Sequence, residues 1–151
     1  MLNQGDIKFL ESYSTSTTDK FSLNGHETYA KVVHVYDGDT VHVVFKMPGQ
    51  EDKCYKWVIR LMGIDTPEIK SKNPTEKAAA AAARDFLKGL ILNKVIIVKC
   101  LEFDKYGRLL GNLFTLDNTA KSLSEVMIEK GHAKAYDGGK KEGWGDLEAA
   151  E

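Results

Sequence analysis

The sequence predicts an α+β domain that is mainly β, a five-stranded Greek-key barrel of the OB type with two flanking α-helices. Three observations carry this reading. Five short stretches are rich in β-branched and aromatic residues; a long alanine-rich segment separates the third stretch from the fourth; and a second helix-opening signal follows the fifth. The resulting order, β-β-β-α-β-β-α, does not alternate as a doubly wound sheet requires. An α+β domain with an open antiparallel sheet is the alternative architecture.

At 151 residues with 42% apolar content, the chain suits a single core. Residues 1–28 are rich in Ser, Thr, Asn and Asp without a sustained period, and read as an irregular N-terminal arm. The barrel is expected over 29–136. Its first strand runs from Tyr29 to Tyr36, and Val41 to Phe45 resumes the pattern after Asp37-Gly38-Asp39-Thr40, a hairpin signal. In a third strand, Lys53 to Met62, the residues Trp57, Ile59 and Leu61 share one face and Arg60 points to the other. Asn73-Pro74-Thr75-Glu76 combines an N-cap, a first-turn proline and a capping-box glutamate, which opens a helix from about Pro74 to Leu90. Val95 to Leu101 and Leu109 to Thr115 are the last two strands, joined by the glycine-containing turn Asp104 to Arg108. Ser122 and Glu125 form a second capping box, and Gly131 should close that helix. Residues 137–151 read as a glycine-rich tail, ending in at most one helical turn.

Composition narrows the function. With 21 Lys and Arg against 22 Asp and Glu, the net charge of −1 disfavours tight holding of nucleic acid through a broad basic face. It leaves open an enzyme that must release its product. Lysines do gather locally, at Lys70 and Lys72 and at Lys140 and Lys141, a pattern that scattered surface lysines also explain. Met1 to Glu11 lacks the layout of a signal peptide, and no run approaches the ~20 apolar residues of a membrane span, so a soluble chain is expected, cytoplasmic or of a location the sequence leaves open. A monomer is the expected state. Cys54 and Cys100 lack metal-ligand spacing and read as reduced, buried thiols, with one disulfide possible in an oxidising compartment. A hairpin symmetric about Gly38 places His34 opposite His42, a pair with no third zinc ligand nearby. His26 and His132 read as exposed, Met62 and Trp57 as core, and Trp144 as an anchor for the tail.

Five charged residues, Asp39, Arg60, Asp65, Glu68 and Arg108, sit at or beside the turns. Asp37 and Asp39 alone are explained by a type I′ turn, and Asp65-Thr66-Pro67-Glu68 alone by a turn or cap. Together they offer oxygen ligands from two elements, a set that suits a hard cation, Ca²⁺ better than Mg²⁺. Arg60 interrupts an apolar strand and must face solvent or an anion. Two guanidinium forks can grip phosphoryl oxygens in a bidentate way that lysine cannot. The inventory points to a metal-dependent phosphodiesterase.

Three blocks then carry a resemblance: Tyr36-Asp37-Gly38-Asp39-Thr40; Arg60-Leu61-Met62-Gly63-Ile64-Asp65-Thr66-Pro67-Glu68; and Asp104-Lys105-Tyr106-Gly107-Arg108. In order and spacing they resemble the signature of the staphylococcal nuclease (thermonuclease) family, over about Tyr29 to Tyr136. The resemblance implies that Asp39 and Asp65 ligate calcium, with the Thr66 carbonyl completing the protein shell and Asp37 acting through water. Glu68 matches the carboxylate that orients or deprotonates the attacking water. Arg60 and Arg108 match the pair that stabilises the five-coordinate phosphorus. Lys105 and Tyr106 match contacts to a neighbouring phosphate, and Tyr136 matches a tyrosine that stacks on a base. DNA and RNA are the implied substrates. The chain departs from the family in its low basic charge, in its long N-terminal arm and in a glycine-rich tail where a third C-terminal helix is expected. Two other readings stay open: a catalytically silent binding module of the same fold, and a plain OB-fold single-strand binder, which has no use for the carboxylates.

Overall fold

The computed structural model describes residues 1–139, 141, 143 and 144. Its centre is a closed barrel of five strands: β1 (Glu27–Asp37), β2 (Thr40–Lys46), β3 (Cys54–Leu61), β5 (Val95–Phe103) and β6 (Leu109–Thr115). The hydrogen-bonded order β1-β2-β3-β6-β5 closes on itself, because β5 pairs with both β1 and β6. All contacts are antiparallel except the parallel step from β3 to β6, which turns the meander into the expected Greek key. Alternation of side chains along each strand sends Val32, Val41, Val43, Phe45, Ile59, Leu61, Ile96, Val98, Leu109 and Leu113 into the core.

Helix α2 (Pro74–Ile91) lies against β1. Its buried residues, Ala80, Ala83, Leu87 and Ile91, recur every three or four positions and form the stripe that meets the barrel. The Asn73 side chain accepts from the Thr75 and Glu76 amides, so the N-cap is as expected. The reciprocal half of the capping box is not formed. The Glu76 carboxylate instead accepts from the Glu68 amide at 2.9 Å and the Ser71 hydroxyl at 3.1 Å. Helix α3 (Leu123–Glu129) begins at Ser122 and ends in a Schellman closure, with Gly131 at φ +77° and the His132 amide donating to the Met127 carbonyl.

Several expectations are corrected. The N-terminal arm contains a two-turn helix, α1 (Gly5–Glu11), so the described residues hold three α-helices rather than two, besides a short 3-10 turn at Thr15–Thr17. Seven residues are too short to declare a helical period, and none of them is buried. The end of the arm already joins the fold: Leu23 is in the core, the Gly25 amide donates to the Cys100 carbonyl, and β1 starts at Glu27. A small second sheet pairs β4 (Ile64–Asp65) with β7 (Lys134–Ala135). Met62 is exposed rather than core, since it follows the last barrel residue of β3. Trp57 is half-buried and stacked on Phe45 at 4.8 Å. Cys54 is exposed and Cys100 buried, both free, and burial raises the Cys100 thiol to about 11. His26 and His132 are half-buried against Phe45 and Phe86. His34 does face His42, with ring centroids 5.0 Å apart. Trp144 is buried; Lys140 and the end of the tail, 145–151, lie outside the described residues.

The Asp-Gly hairpin tip is not a type I′ turn, for neither Gly38 nor Asp39 has a positive φ. Glycine is needed there for space. A Cβ on Gly38 would stand 2.9 Å from Ala83 Cβ, 3.0 Å from Thr66 Cγ2 and 3.2 Å from Met127 Cε. The tip is therefore wedged where α2, α3 and the segment after β4 meet. Gly38→Ala should cost about 1–3 kcal/mol in urea unfolding through overpacking. Gly89→Ala, in α2 with nothing within 4 Å, should instead gain about 0.5–1 kcal/mol.

Candidate active site

The barrel end that carries the β1–β2 turn also carries the end of β3 and the short β4. Register brings them together. Thr40 pairs with Arg60 across β2 and β3, and the Leu61 amide donates to the Asp39 carbonyl at 2.8 Å. After a turn at Gly63, whose φ is +85°, Asp65 is held by pairing with Lys134 of β7. Asp37, Asp39, Arg60, Asp65 and Thr66 are all buried.

An arginine only 7% exposed must be paired, because its desolvation penalty is several kcal/mol. Arg60 Nη2 lies 3.4 Å from Asp39 Oδ2 and 4.0 Å from Asp65 Oδ1, while Nη1 donates to the Leu61 carbonyl at 2.7 Å. Thr40 Oγ1 donates to Asp39 Oδ1, and the Asp39 amide donates to Asp37 Oδ1. Among the described residues no ion pair reaches Asp37. Burial, and then the adjacent negative charge of Asp39, raise its carboxyl to about 7.

Glu68 stands at the exposed rim, its amide held by Glu76. Lys141 reaches in from the tail, with Nζ 3.3 Å from Asp65 Oδ1 and 3.4 Å from Glu68 Oε1. Burial disfavours its charge, yet those two carboxylates raise its pKa above the ordinary value. Arg108 lies on the β5–β6 loop, where Gly107 at φ +82° permits the turn. Asp104 organises that loop: it accepts from the amides of Tyr106 and Arg108, and from Arg108 Nε at 2.8 Å. The side chains of Lys105 and Arg108 both approach the Tyr106 ring, at 5.2 and 5.5 Å. Arg60, Lys105, Tyr106, Arg108, Tyr136 and Lys141 line one open cleft of about 480 Å³.

The structure thus lines one cleft with Arg60, Lys105, Tyr106, Arg108 and Tyr136, and joins Asp39 and Asp65 to it through Arg60 and Glu68 through Lys141. It does not close the carboxylates around one point: among the described residues, no three His, Cys, Asp or Glu side chains converge as a metal-binding group. The donor chemistry nonetheless fits a hard cation. Three aspartates are buried within two short segments, burial and the neighbouring Asp39 charge drive Asp37 toward its neutral form, and Thr66 Oγ1 is buried without a hydrogen-bond partner among the described residues. Sequence reasoning missed the β4–β7 pairing and the reach of Lys141. A two-residue strand has no period to read, and Lys141 is one lysine among many until β7 brings the tail alongside Asp65.

A closed five-stranded barrel of this topology defines an OB-type domain, here with buried aspartates paired to an arginine that lines an open cleft. The family model for staphylococcal nuclease homologues matches residues 58–150. A protein of Methanocaldococcus jannaschii is 32% identical over 147 residues, covering 83% of this chain and 68% of that protein. An uncharacterized endonuclease of Escherichia coli is 30% identical over 111 residues, 74% of this chain and 63% of its own. A probable endonuclease of Komagataella phaffii is 28% identical over 128 residues, 72% of this chain and 56% of its own. The chain belongs to the staphylococcal nuclease family, and spans about two-thirds or less of the length of these relatives.

The raised Asp37 pKa has a signed consequence. A carboxyl whose folded pKa lies above its unfolded 3.8 favours folding below that value, and the contribution is lost as pH rises to about 7. Asp37→Asn should therefore melt higher than the unmodified protein at pH 7.5 in chelator, by about 1 kcal/mol or more. The advantage should vanish near pH 4; equal melting temperatures at both pH values would contradict the assignment.

Proposed function

We propose that the protein is a calcium-dependent nuclease that hydrolyses phosphodiester bonds of DNA and RNA with little sequence preference, leaving 3′-phosphate ends. The observation that carries the proposal is the single cleft in which Arg60, buried beside Asp39 and Asp65, stands with Arg108 and the Lys105-Tyr106 loop. Support also comes from the family membership and from relatives named as endonucleases. The functional unit is taken as residues 29–136.

Asp39 and Asp65 would hold the ion, with the Thr66 carbonyl and, through water, Asp37. Bound there, calcium supplies Lewis-acid charge at the phosphoryl oxygen. Glu68, exposed at the rim, accepts a proton from the attacking water. Arg60 and Arg108 direct their forks at the non-bridging oxygens, whose charge grows as phosphorus becomes five-coordinate. The phosphorus–O5′ bond breaks and the departing oxygen takes up a proton. Lys105 and Tyr106 contact the adjoining phosphate, and Tyr136 offers its ring to a base. Because the net charge is only −1, affinity rests on these few cleft cations, and long substrates should be released readily as salt rises.

The test is cleavage of single-stranded DNA in calcium, in magnesium and in chelator, with Glu68→Gln alongside. Calcium-dependent cutting that the substitution abolishes is expected; binding without turnover in every metal would replace the enzyme with a silent binding module. Arg60→Lys keeps the charge but loses the planar fork, and should lower turnover by about 10²-fold. Turnover like that of the unmodified protein would remove Arg60 from the clamp.

A further inference from the structure

We propose that Lys141 is a tethered cation that competes with calcium for the carboxylate site, so that the C-terminal strap sets the apparent affinity for the ion. The proposal rests on the calcium reading above and adds an intramolecular competitor to it.

The strap is fastened on both sides of Lys141. Before it, the Tyr136 amide donates to the Gly63 carbonyl at 2.8 Å, and the Tyr136 hydroxyl donates to the Gly139 carbonyl at 2.6 Å. The Gly139 amide in turn donates to Asp137 Oδ1. After it, Lys134 Nζ donates to the Gly143 carbonyl at 2.9 Å and stands 4.3 Å from the centre of the buried Trp144 ring. Lys134 is the β7 residue paired with Asp65, so the strap is anchored on the strand that holds the candidate ligand.

Between these fastenings the Lys141 ammonium meets Asp65 Oδ1 at 3.3 Å and Glu68 Oε1 at 3.4 Å. These are the two carboxylates assigned to the ion and to the attacking water. Calcium binds its oxygen ligands at about 2.3–2.6 Å, and an ammonium this close to Asp65 would repel it in a partly desolvated site. Ion and ammonium therefore exclude one another. Lys141 is also half-exposed, and such pairs are individually weak, so its side chain swings away from the carboxylates reversibly while the fastenings on either side hold. With the ammonium docked, Asp65 Oδ1 and Glu68 Oε1 are both engaged; with it swung away, both are free. Apparent affinity then equals the intrinsic affinity reduced by the open fraction.

The experiment titrates calcium calorimetrically into the full chain, into Lys141→Gln and into Lys70→Gln, which removes the same charge from an exposed position beyond Glu68. Lys141→Gln should bind calcium about three- to tenfold more tightly, a range set by an open fraction of about one-third to one-tenth. Lys70→Gln should change affinity by less than about twofold, as a screened surface charge does. Thermal melts give a second readout: the rise in melting temperature at fixed calcium should be larger for Lys141→Gln than for the unmodified protein. Calcium binding of equal strength in all three proteins would overturn the competition and leave the calcium site standing. Absence of binding in all three would overturn both.

Discussion

The pairing of a buried guanidinium with aspartates from two different elements governs the rest of this structure. Arg60 could not sit 7% exposed at the end of β3 unless anions met it there. Asp39 and Asp65 could not be buried so near each other, with Asp37 beside them, without a cation between. Each charge makes the others tolerable. The constraint reaches the backbone, since Asp39 must come from a turn that leans over β3 and Asp65 from a strand that starts directly after it. The bond from the Leu61 amide to the Asp39 carbonyl fixes both at once.

That turn can lean over only because nothing stands in its way. Gly38 meets Ala83 of α2, Met127 of α3 and Thr66 at distances that leave no room for a Cβ. The alanine run of α2 thus has a purpose beyond helix propensity: a larger side chain at position 83 would push the helix off the hairpin tip and move Asp37 and Asp39 with it. Core packing and site geometry share these atoms. A change in the barrel wall is therefore felt as a change in carboxylate spacing.

The sequence was most legible where a local rule and the global fold agreed. Strands of seven or more residues announce themselves by alternation, α2 by its cap and alanine stripe, and α3 by Ser122 and Gly131; the OB-type order followed from these alone. Arg60 could be singled out because a charge in an apolar strand demands a partner. What stayed hidden depended on contacts without local pattern. Helix α1 buries nothing and is too short to show a period, β4 and β7 have two residues each, and Met62 looked like core until β3 ended one residue before it. The Asp-Gly tip was read as a primed turn, yet its glycine answers a close approach from helices over forty positions away in sequence. Glu76 likewise left its own helix cap to hold the Glu68 amide, a choice that only the fold makes available.

The β5–β6 loop shows how few groups must do the work of a basic surface here. Asp104 accepts three hydrogen bonds, from the Tyr106 amide, the Arg108 amide and Arg108 Nε, so one carboxylate orders the loop that presents Lys105, Tyr106 and Arg108. An isolated arginine that is one-third exposed would sample many rotamers and lose their entropy on meeting a phosphate. Fixed in advance by Asp104 and laid toward the Tyr106 ring, Arg108 loses less, and that preorganisation offsets some of the affinity a net charge of −1 forgoes. The same carboxylate weakens the loop's attraction for a polyanion at long range, because it cancels one of its cations. If the chain is the nuclease proposed above, a site built this way would grip a phosphate that has already arrived and do little to draw a strand in from solution, as suits an enzyme that must also let its product leave.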